Sequence, residues 1–139
     1  EGKPIFGLRK FPPDGGTPLQ FTDVICEHPQ WSPDGRFIVF DADSGASMRM
    51  IEAKGGTPKE FIPDSITIRN SGLPTWSPTG SHIAFKDSAG SLWVYSLKTG
   101  IVARVFEREG FVPVPGCWSR DNKSILIALM NPKTRLSTI

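Results

Sequence analysis

One segment occurs three times at a nearly constant interval, and this repetition restricts the fold more than any other feature of the chain. Trp31-Ser32-Pro33-Asp34-Gly35-Arg36-Phe37-Ile38-Val39-Phe40 returns as Trp76-Ser77-Pro78-Thr79-Gly80-Ser81-His82-Ile83-Ala84-Phe85. It returns more loosely as Trp118-Ser119-Arg120-Asp121-Asn122-Lys123-Ser124-Ile125-Leu126-Ile127. The tryptophans lie 45 and then 42 positions apart. A second block keeps step with the first: Gly15-Gly16-Thr17-Pro18-Leu19-Gln20-Phe21 matches Gly55-Gly56-Thr57-Pro58-Lys59-Glu60-Phe61, with a weaker third copy at Thr99-Gly100-Ile101-Val102-Ala103-Arg104-Val105. Two blocks sharing one period of this length signal a stack of similar structural units.

Within a unit the pattern is that of strands. Phe37-Ile38-Val39-Phe40 and Ile83-Ala84-Phe85 are short β-prone runs, each after a Pro-x-Gly turn that fixes φ at the proline and permits positive φ at the glycine. Polar turns follow at residues 41–46 and 86–90, then third strands at Met48-Arg49-Met50-Ile51 and Leu92-Trp93-Val94-Tyr95, then a Gly-Gly or Thr-Gly turn into a fourth. Four short strands in about 40–45 residues is the unit of a β-propeller blade. No segment sustains a helical period, so the expected fold class is all-β, with four-stranded antiparallel blades. Leu8, Met48 and Leu92 share one column of the repeat; Phe11, Ile51 and Tyr95 share another. Residues 1–139 then divide into the outer strands of a partial blade (1–23), a blade (24–64), a second blade (65–110) and a partial blade (111–139) whose residues 135–139 align with a third strand.

The W-S-P-D-G pattern, the apolar run ending in Phe, the short Asp/Ser/Gly turn and the Gly-Gly turn together resemble the WD-repeat-like β-propeller repeat of the TolB family. Similar repeats occur in the non-catalytic propellers of prolyl-oligopeptidase-type peptidases and in sensor regions of some bacterial regulators. The resemblance covers nearly the whole chain. It implies a six-bladed propeller, a non-catalytic scaffold for a protein or peptide, and a periplasmic or other extracytoplasmic location. An accessory propeller of a peptidase and a regulator's sensor domain are the alternatives, and flanking sequence would separate them. The third copy departs from the pattern, with Arg120 in place of proline and Asn122 in place of glycine; asparagine tolerates the left-handed conformation better than most residues.

Composition narrows the partner. Lys plus Arg number 16 against Asp plus Glu 14, a net charge of +2, and the charges are scattered, so no basic footprint for nucleic acid stands out. Apolar runs such as Ile125–Met130 fall far short of the ~18 residues that suggest a membrane span. Cys26 and Cys117 are 91 positions apart and read as free buried thiols; a disulfide stays open. The opening Glu1-Gly2-Lys3-Pro4, without Met or an apolar leader, reads as part of something longer. Closed propellers have about 4–8 blades, more than this chain supplies. Three resolutions are open: a longer chain, two copies forming a six-bladed ring as a homodimer, or an open arc.

Catalytic and metal-binding patterns are sparse in the sequence. No G-x-S-x-G elbow is present, only His28 and His82 offer imidazoles, and no G-x-x-x-x-G-K-[ST] loop occurs. His82 reads as a strand residue with a solvent-reaching ring. Asp41-Ala42-Asp43-Ser44-Gly45 with Glu52 faintly resembles a calcium loop, but the glycine sits at the fifth position instead of the sixth; a hairpin turn is expected, with a cation near Asp41 and Asp43 as the alternative. No cofactor is expected. Trp31, Trp76 and Trp118 are expected to pack between blades, with Pro33, Asp34, Gly35, Pro78 and Gly80 shaping the turns. Trp93 is unrepeated and reads as an exposed contact residue. The loops before each first strand (Glu27, His28, Arg69, Asn70, Arg108, Glu109) and the turns between second and third strands (Asp41, Asp43, Lys86, Asp87, Asn131, Lys133) map to one face, a set of mixed sign that suits a protein or peptide. Glu27, His28, Arg69, Asn70, Lys86, Asp87, Trp93 and Arg108 are the partner-binding candidates.

Overall fold

The computed structural model describes residues 7–67, 72–131 and 133. These form twelve strands and no α-helix. β1 (Leu8–Lys10) and β2 (Leu19–Thr22) make a two-stranded sheet; β3 (Cys26–Trp31), β4 (Phe37–Ala42), β5 (Ser47–Glu52) and β6 (Lys59–Glu60) a four-stranded one. β7 (Thr75–Trp76), β8 (His82–Lys86), β9 (Ser91–Ser96) and β10 (Val102–Glu107) make the second four-stranded sheet, and β11 (Val112–Trp118) pairs with β12 (Ile125–Met130). Every pairing is an antiparallel meander between consecutive strands. β3 lies against β7 and β7 against β11, so the first strands of successive sheets are neighbours. The architecture is a run of propeller blades. Residues 135–139 lie outside the described residues.

The repeated turn is built by its serine. Ser32 Oγ accepts the Phe37 N–H at 2.9 Å, Ser77 Oγ the His82 N–H at 3.0 Å, and Ser119 Oγ the Ser124 N–H at 2.9 Å. Gly35, Gly80 and Asn122 occupy the left-handed region at φ 70°, 71° and 59°, so the third copy keeps the turn with asparagine in the glycine's place. Asp34 accepts from Ser32 Oγ at 2.6 Å and from the Arg36 N–H, as Asp121 does from Ser119 Oγ at 2.6 Å and the Lys123 N–H.

Those bonds stabilise the ionised carboxyl. The serine hydroxyl first, then the backbone N–H, hold Asp34 and Asp121 below the ordinary aspartate value. As pH falls, the unfolded chain therefore takes up protons before the folded chain does. This contribution is complete above the ordinary aspartate value of about 3.9 and is lost as pH falls through the lower folded-state values. The urea midpoint is expected to drop over that interval, and Asp34→Asn to flatten the drop; equal pH slopes for the two proteins would refute the assignment.

The two four-stranded sheets pack face to face. Val39 and Met48 meet Trp76, Ile83 and Phe85, with Met50, Trp93 and Tyr95 at the margin. The opposite face of the first sheet, Ile38, Phe40, Ala42 and Ile51, covers Leu8 of β1. Alternation along β4 serves both neighbours, so a blade's strands read as continuous apolar runs. Trp76 Nε1–H donates to the Gln30 carbonyl and Trp118 Nε1–H to the Thr75 carbonyl, both at 3.2 Å. Each indole thus holds the residue just before the previous tryptophan.

Trp31 departs from the expectation that all three tryptophans are buried between blades. It is 45% exposed, with the Phe21 ring edge-on at 6.4 Å and Lys10 Nζ 5.5 Å from its centroid. The cause is its neighbour: β1 and β2 supply third and fourth strands, and no described first strand offers Trp31 a carbonyl. Trp118 is half-buried. The cysteines are free as read, but Cys117 is exposed and Cys26 only half-buried; burial, with Glu27 adding, raises the Cys26 thiol above its ordinary value.

Candidate binding surface

The polar end of the blades is organised by a carboxylate expected in a turn. β4 continues through Ala42, so the turn shrinks to residues 43–46 and Asp41 becomes a fully buried strand residue. Its Oδ1 accepts the Gly72 N–H at 2.9 Å, while its Oδ2 accepts the Leu73 N–H at 3.3 Å and lies 3.1 Å from His28 Nδ1. His28 and Leu73 hold the same repeat position and share the left-handed conformation, φ 51° and 50°. Such a conformation is rare for leucine. In β3 the ladder slips between Glu27 and Gln30, a bulge that re-aims the residues in the gap. It turns His28 toward Asp41 of its own sheet, and the Leu73 amide reaches the same carboxylate from the segment before β7 of the next.

Lys86 occupies in β8 the place of Asp41 in β4, and its N–H bonds the Gly72 carbonyl at 2.8 Å. Burial lowers its ammonium below the ordinary lysine value, against the pull of Asp41 and Asp87. Asp87 is itself buried, accepting the Ala89 and Ser91 N–H groups at 2.9 and 2.8 Å and the Trp93 indole N–H at 2.8 Å. Trp93 is therefore not the exposed contact residue expected from its lack of repetition. Its ring lies between the two complete blades, with Arg104 5.9 Å from its centroid. Asp87 and Trp93 hold each other and shape the turn.

The accessible candidates are fewer. Glu27 and His28 lie on β3 instead of in a loop before it, and both are exposed. Arg108 is exposed in the loop before β11, its guanidinium 4.3 Å from the Phe111 centroid; Glu109 beside it and Lys133 are exposed too, and Asn131 is half-buried. Arg69 and Asn70 lie outside the described residues. Asp43 pairs with Arg49 at 2.7 Å, and Arg49 also reaches Glu60 at 3.3 Å. The oxygens of Asp41 face N–H donors and Asp43 faces a guanidinium and the Ser47 hydroxyl, a donor-rich setting that disfavours a cation between them. Among the described residues no three metal-ligating side chains converge.

Nucleophilic catalysis needs a hydroxyl or thiol, a base and an orienting group in one hydrogen-bonded chain. The Ser81 hydroxyl lies 2.8 Å from His82 Nδ1, but that ring stacks on Trp118 at 6.1 Å with no described carboxylate beside it. His28 has the carboxylate of Asp41. The two half-arrangements sit on different blades and do not combine among the described residues. The sequence reading missed Gly72 and Leu73 and misplaced Asp41; one available signal was an acid at the end of an otherwise apolar strand, with a lysine in its place one repeat later.

No family model matches the sequence. Curated relatives include the Tol-Pal system protein TolB of Francisella tularensis subsp. mediasiatica (strain FSC147) and of subsp. tularensis (strain SCHU S4 / Schu 4), each 33% identical over 92 residues. The match covers 63% of this chain and 21% of each relative, so the chain spans about a fifth of their length. A solved structure described as a TolB of Agrobacterium tumefaciens superposes with a TM-score of 0.60 at 18% identity, covering 73% of this chain and 41% of that one. That likeness shows the fold. The chain is built of TolB-like β-propeller repeats.

Proposed function

We propose that this run of TolB-like propeller blades is a non-catalytic scaffold that binds a protein or peptide across the polar end of the blades. The observation that supports it most is the division of labour there. Asp41 and Asp87 are engaged by backbone and indole N–H groups, while Glu27 and His28 on β3 and Arg108 in the loop before β11 are exposed groups of mixed sign. Exposed polar side chains presented by a sheet and the loop beside it suit directional hydrogen bonds to a partner. The curated relatives are proteins of the Tol-Pal system by name, which favours a protein partner and an extracytoplasmic place for this chain as well. No described helix is long and apolar enough to cross a membrane.

Selection of a displayed random-peptide library on the immobilised chain tests the reading. Recovered peptides are expected to lose at least about tenfold in affinity, some 1.4 kcal/mol, to the charge reversals Glu27→Arg and Arg108→Glu. Peptides that bind both variants as tightly as the original chain, or a library that yields no binder, would overturn it.

A further inference from the structure

Between the two complete blades, at the end away from Asp41, lies an open groove. β4 leaves the Ser32 turn at Phe37 and runs up to Asp41, so the turns that follow β5 and β9 lie at the opposite end from that carboxylate. The groove there measures about 590 Å³, within the ~300–1,000 Å³ of clefts that hold ligands. Both complete blades wall it: Phe37, Met50 and Phe61 on one side, Tyr95 and Leu97 on the other, all half-buried. These five pack on the margin of the cluster around Val39 and Phe85, and the Phe61 and Tyr95 rings meet from opposite walls at 4.9 Å.

Backbone hydrogen bonds fix the rims. The Ala53 N–H donates to the Arg36 carbonyl at 2.8 Å and the Leu97 N–H to the Ser81 carbonyl at 3.0 Å, which ties each rim to the serine turn of its own blade. Gly55 and Gly56 line the groove at φ 99° and 128°, and a Cβ at either would meet no atom within 4 Å. A second backbone can approach such bare chain closely.

The rim charges are uneven. Glu52 pairs with Lys54 at 2.8 Å and Glu60 with Arg49 at 3.3 Å, while Asp34 accepts from Ser32 Oγ and the Arg36 N–H. Arg36 and Lys59 are exposed, and neither forms an ion pair with a described residue. Arg36 stands 5.6 Å from the Phe37 centroid, beside a recess of about 320 Å³ that shares Phe37, Glu52 and Lys54 with the groove. Lys54, by its hydrogen bond and then its charge, with Lys59 and Arg36 adding, holds the Glu52 carboxyl below the ordinary glutamate value. The field at this rim is therefore positive.

We infer that the groove takes an acidic peptide segment, an aromatic side chain entering between Phe61 and Leu97 and flanking carboxylates meeting Arg36 and Lys59. The inference goes beyond the reading of the polar end and does not depend on it. An aromatic anchor in an apolar recess under a polar rim is the usual arrangement of a binding hot spot. β5 separates β4 from β6, which puts Arg36 and Lys59 about 10 Å apart across the sheet. One small acid suits one of these cations, whereas a chain with carboxylates on both sides of its aromatic residue spans the two.

Titration of the isotope-labelled 139-residue chain with the blocked peptide Asp-Glu-Phe-Glu-Asp, followed by amide chemical shifts, tests this. Saturation is expected, with Gly55, Gly56 and Leu97 moving while Gly72 and Leu73 stay still. Exchanging the peptide's phenylalanine for alanine, or its acids for lysines, is expected to cost at least about tenfold in affinity; these comparisons alter nothing in the protein. Arg36→Glu combined with Lys59→Glu changes two exposed side chains, so it is expected to keep its far-UV circular dichroism, to lose the acidic peptide at least about tenfold and to gain the lysine peptide. No saturation at millimolar peptide, equal affinity for the alanine or lysine peptide, an unaffected double variant, or shifts confined to the polar end would overturn the inference. So would N-acetylphenylalanine binding as tightly as the peptide, which would make the groove a small-molecule cleft. Glu27→Arg and Arg108→Glu are expected to leave this affinity unchanged, so the groove and the polar end fail separately.

Discussion

Replacing Asp41 with alanine is expected to destabilise the chain by about 3 kcal/mol, read as a lowered urea midpoint at neutral pH. The magnitude follows from what the carboxylate leaves behind. Gly72 N–H and Leu73 N–H both point at it, and a buried donor stripped of its acceptor costs roughly 1–3 kcal/mol. Asp41 is fully buried, so its acceptor oxygens are not simply replaced by bulk solvent. Asp41→Asn retains the shape and one acceptor oxygen but turns a donor toward an N–H or toward His28, and is expected to cost about 1–2 kcal/mol. Were Asp41 instead a residue held for ligand chemistry, its removal would leave stability within about 0.5 kcal/mol or raise it, as is common for functional groups kept at a cost. That outcome would refute the clamp. The alanine and asparagine variants together separate the two roles, because only a clamp orders them by the number of acceptors lost.

The residues that announce the fold are those whose role is local. Ser32, Pro33 and Gly35 build a turn from bonds within a few positions of one another, so the same letters at 77, 78 and 80 carry the same turn, and the strands between turns follow. The clamp is of another kind. Its partners lie 31 and 32 positions from Asp41, and one of them is an amide whose direction depends on a leucine in a conformation that nothing in the identity of leucine announces. Periodicity therefore locates Asp41 at a strand's end without showing what it holds. The tryptophans make the complementary point: Trp31 and Trp76 open the same Trp-Ser-Pro-x-Gly turn, yet one is 45% exposed and the other 8%, because burial belongs to the neighbouring sheet as much as to the residue. Trp93 was misread for a related reason, since a position that does not repeat can still be held by a partner, here Asp87, that does not repeat either.

Truncating Phe85 to alanine is expected to cost about 3–5 kcal/mol, the range for a large aromatic removed from a closed core. Against a typical total of about 5–15 kcal/mol, this removes between about a fifth and all of the stability. Phe85 is fully buried where the two complete blades meet, packed with Val39, Met48, Trp76 and Ile83. Phe85→Leu keeps most of that volume and is expected to cost under about 1.5 kcal/mol. Because Phe85 and Phe40 share a repeat position but face different neighbours, milder truncations can ask whether the blade interfaces act independently. Ile83→Val lies in the cluster between the complete blades and Ile38→Val in the cluster against β1; each is expected to cost about 0.5–1.5 kcal/mol, and the pair to add within about 0.5. Val39→Ala combined with Ile83→Val removes atoms from one shared cluster, and there a coupling above about 0.5 kcal/mol is expected. Additivity within the shared cluster, or strong coupling between the separate ones, would mean that the sheets do not behave as units joined by nearest-neighbour faces. The nearest-neighbour outcome is what a repeat architecture requires, since each blade touches only the one before and the one after.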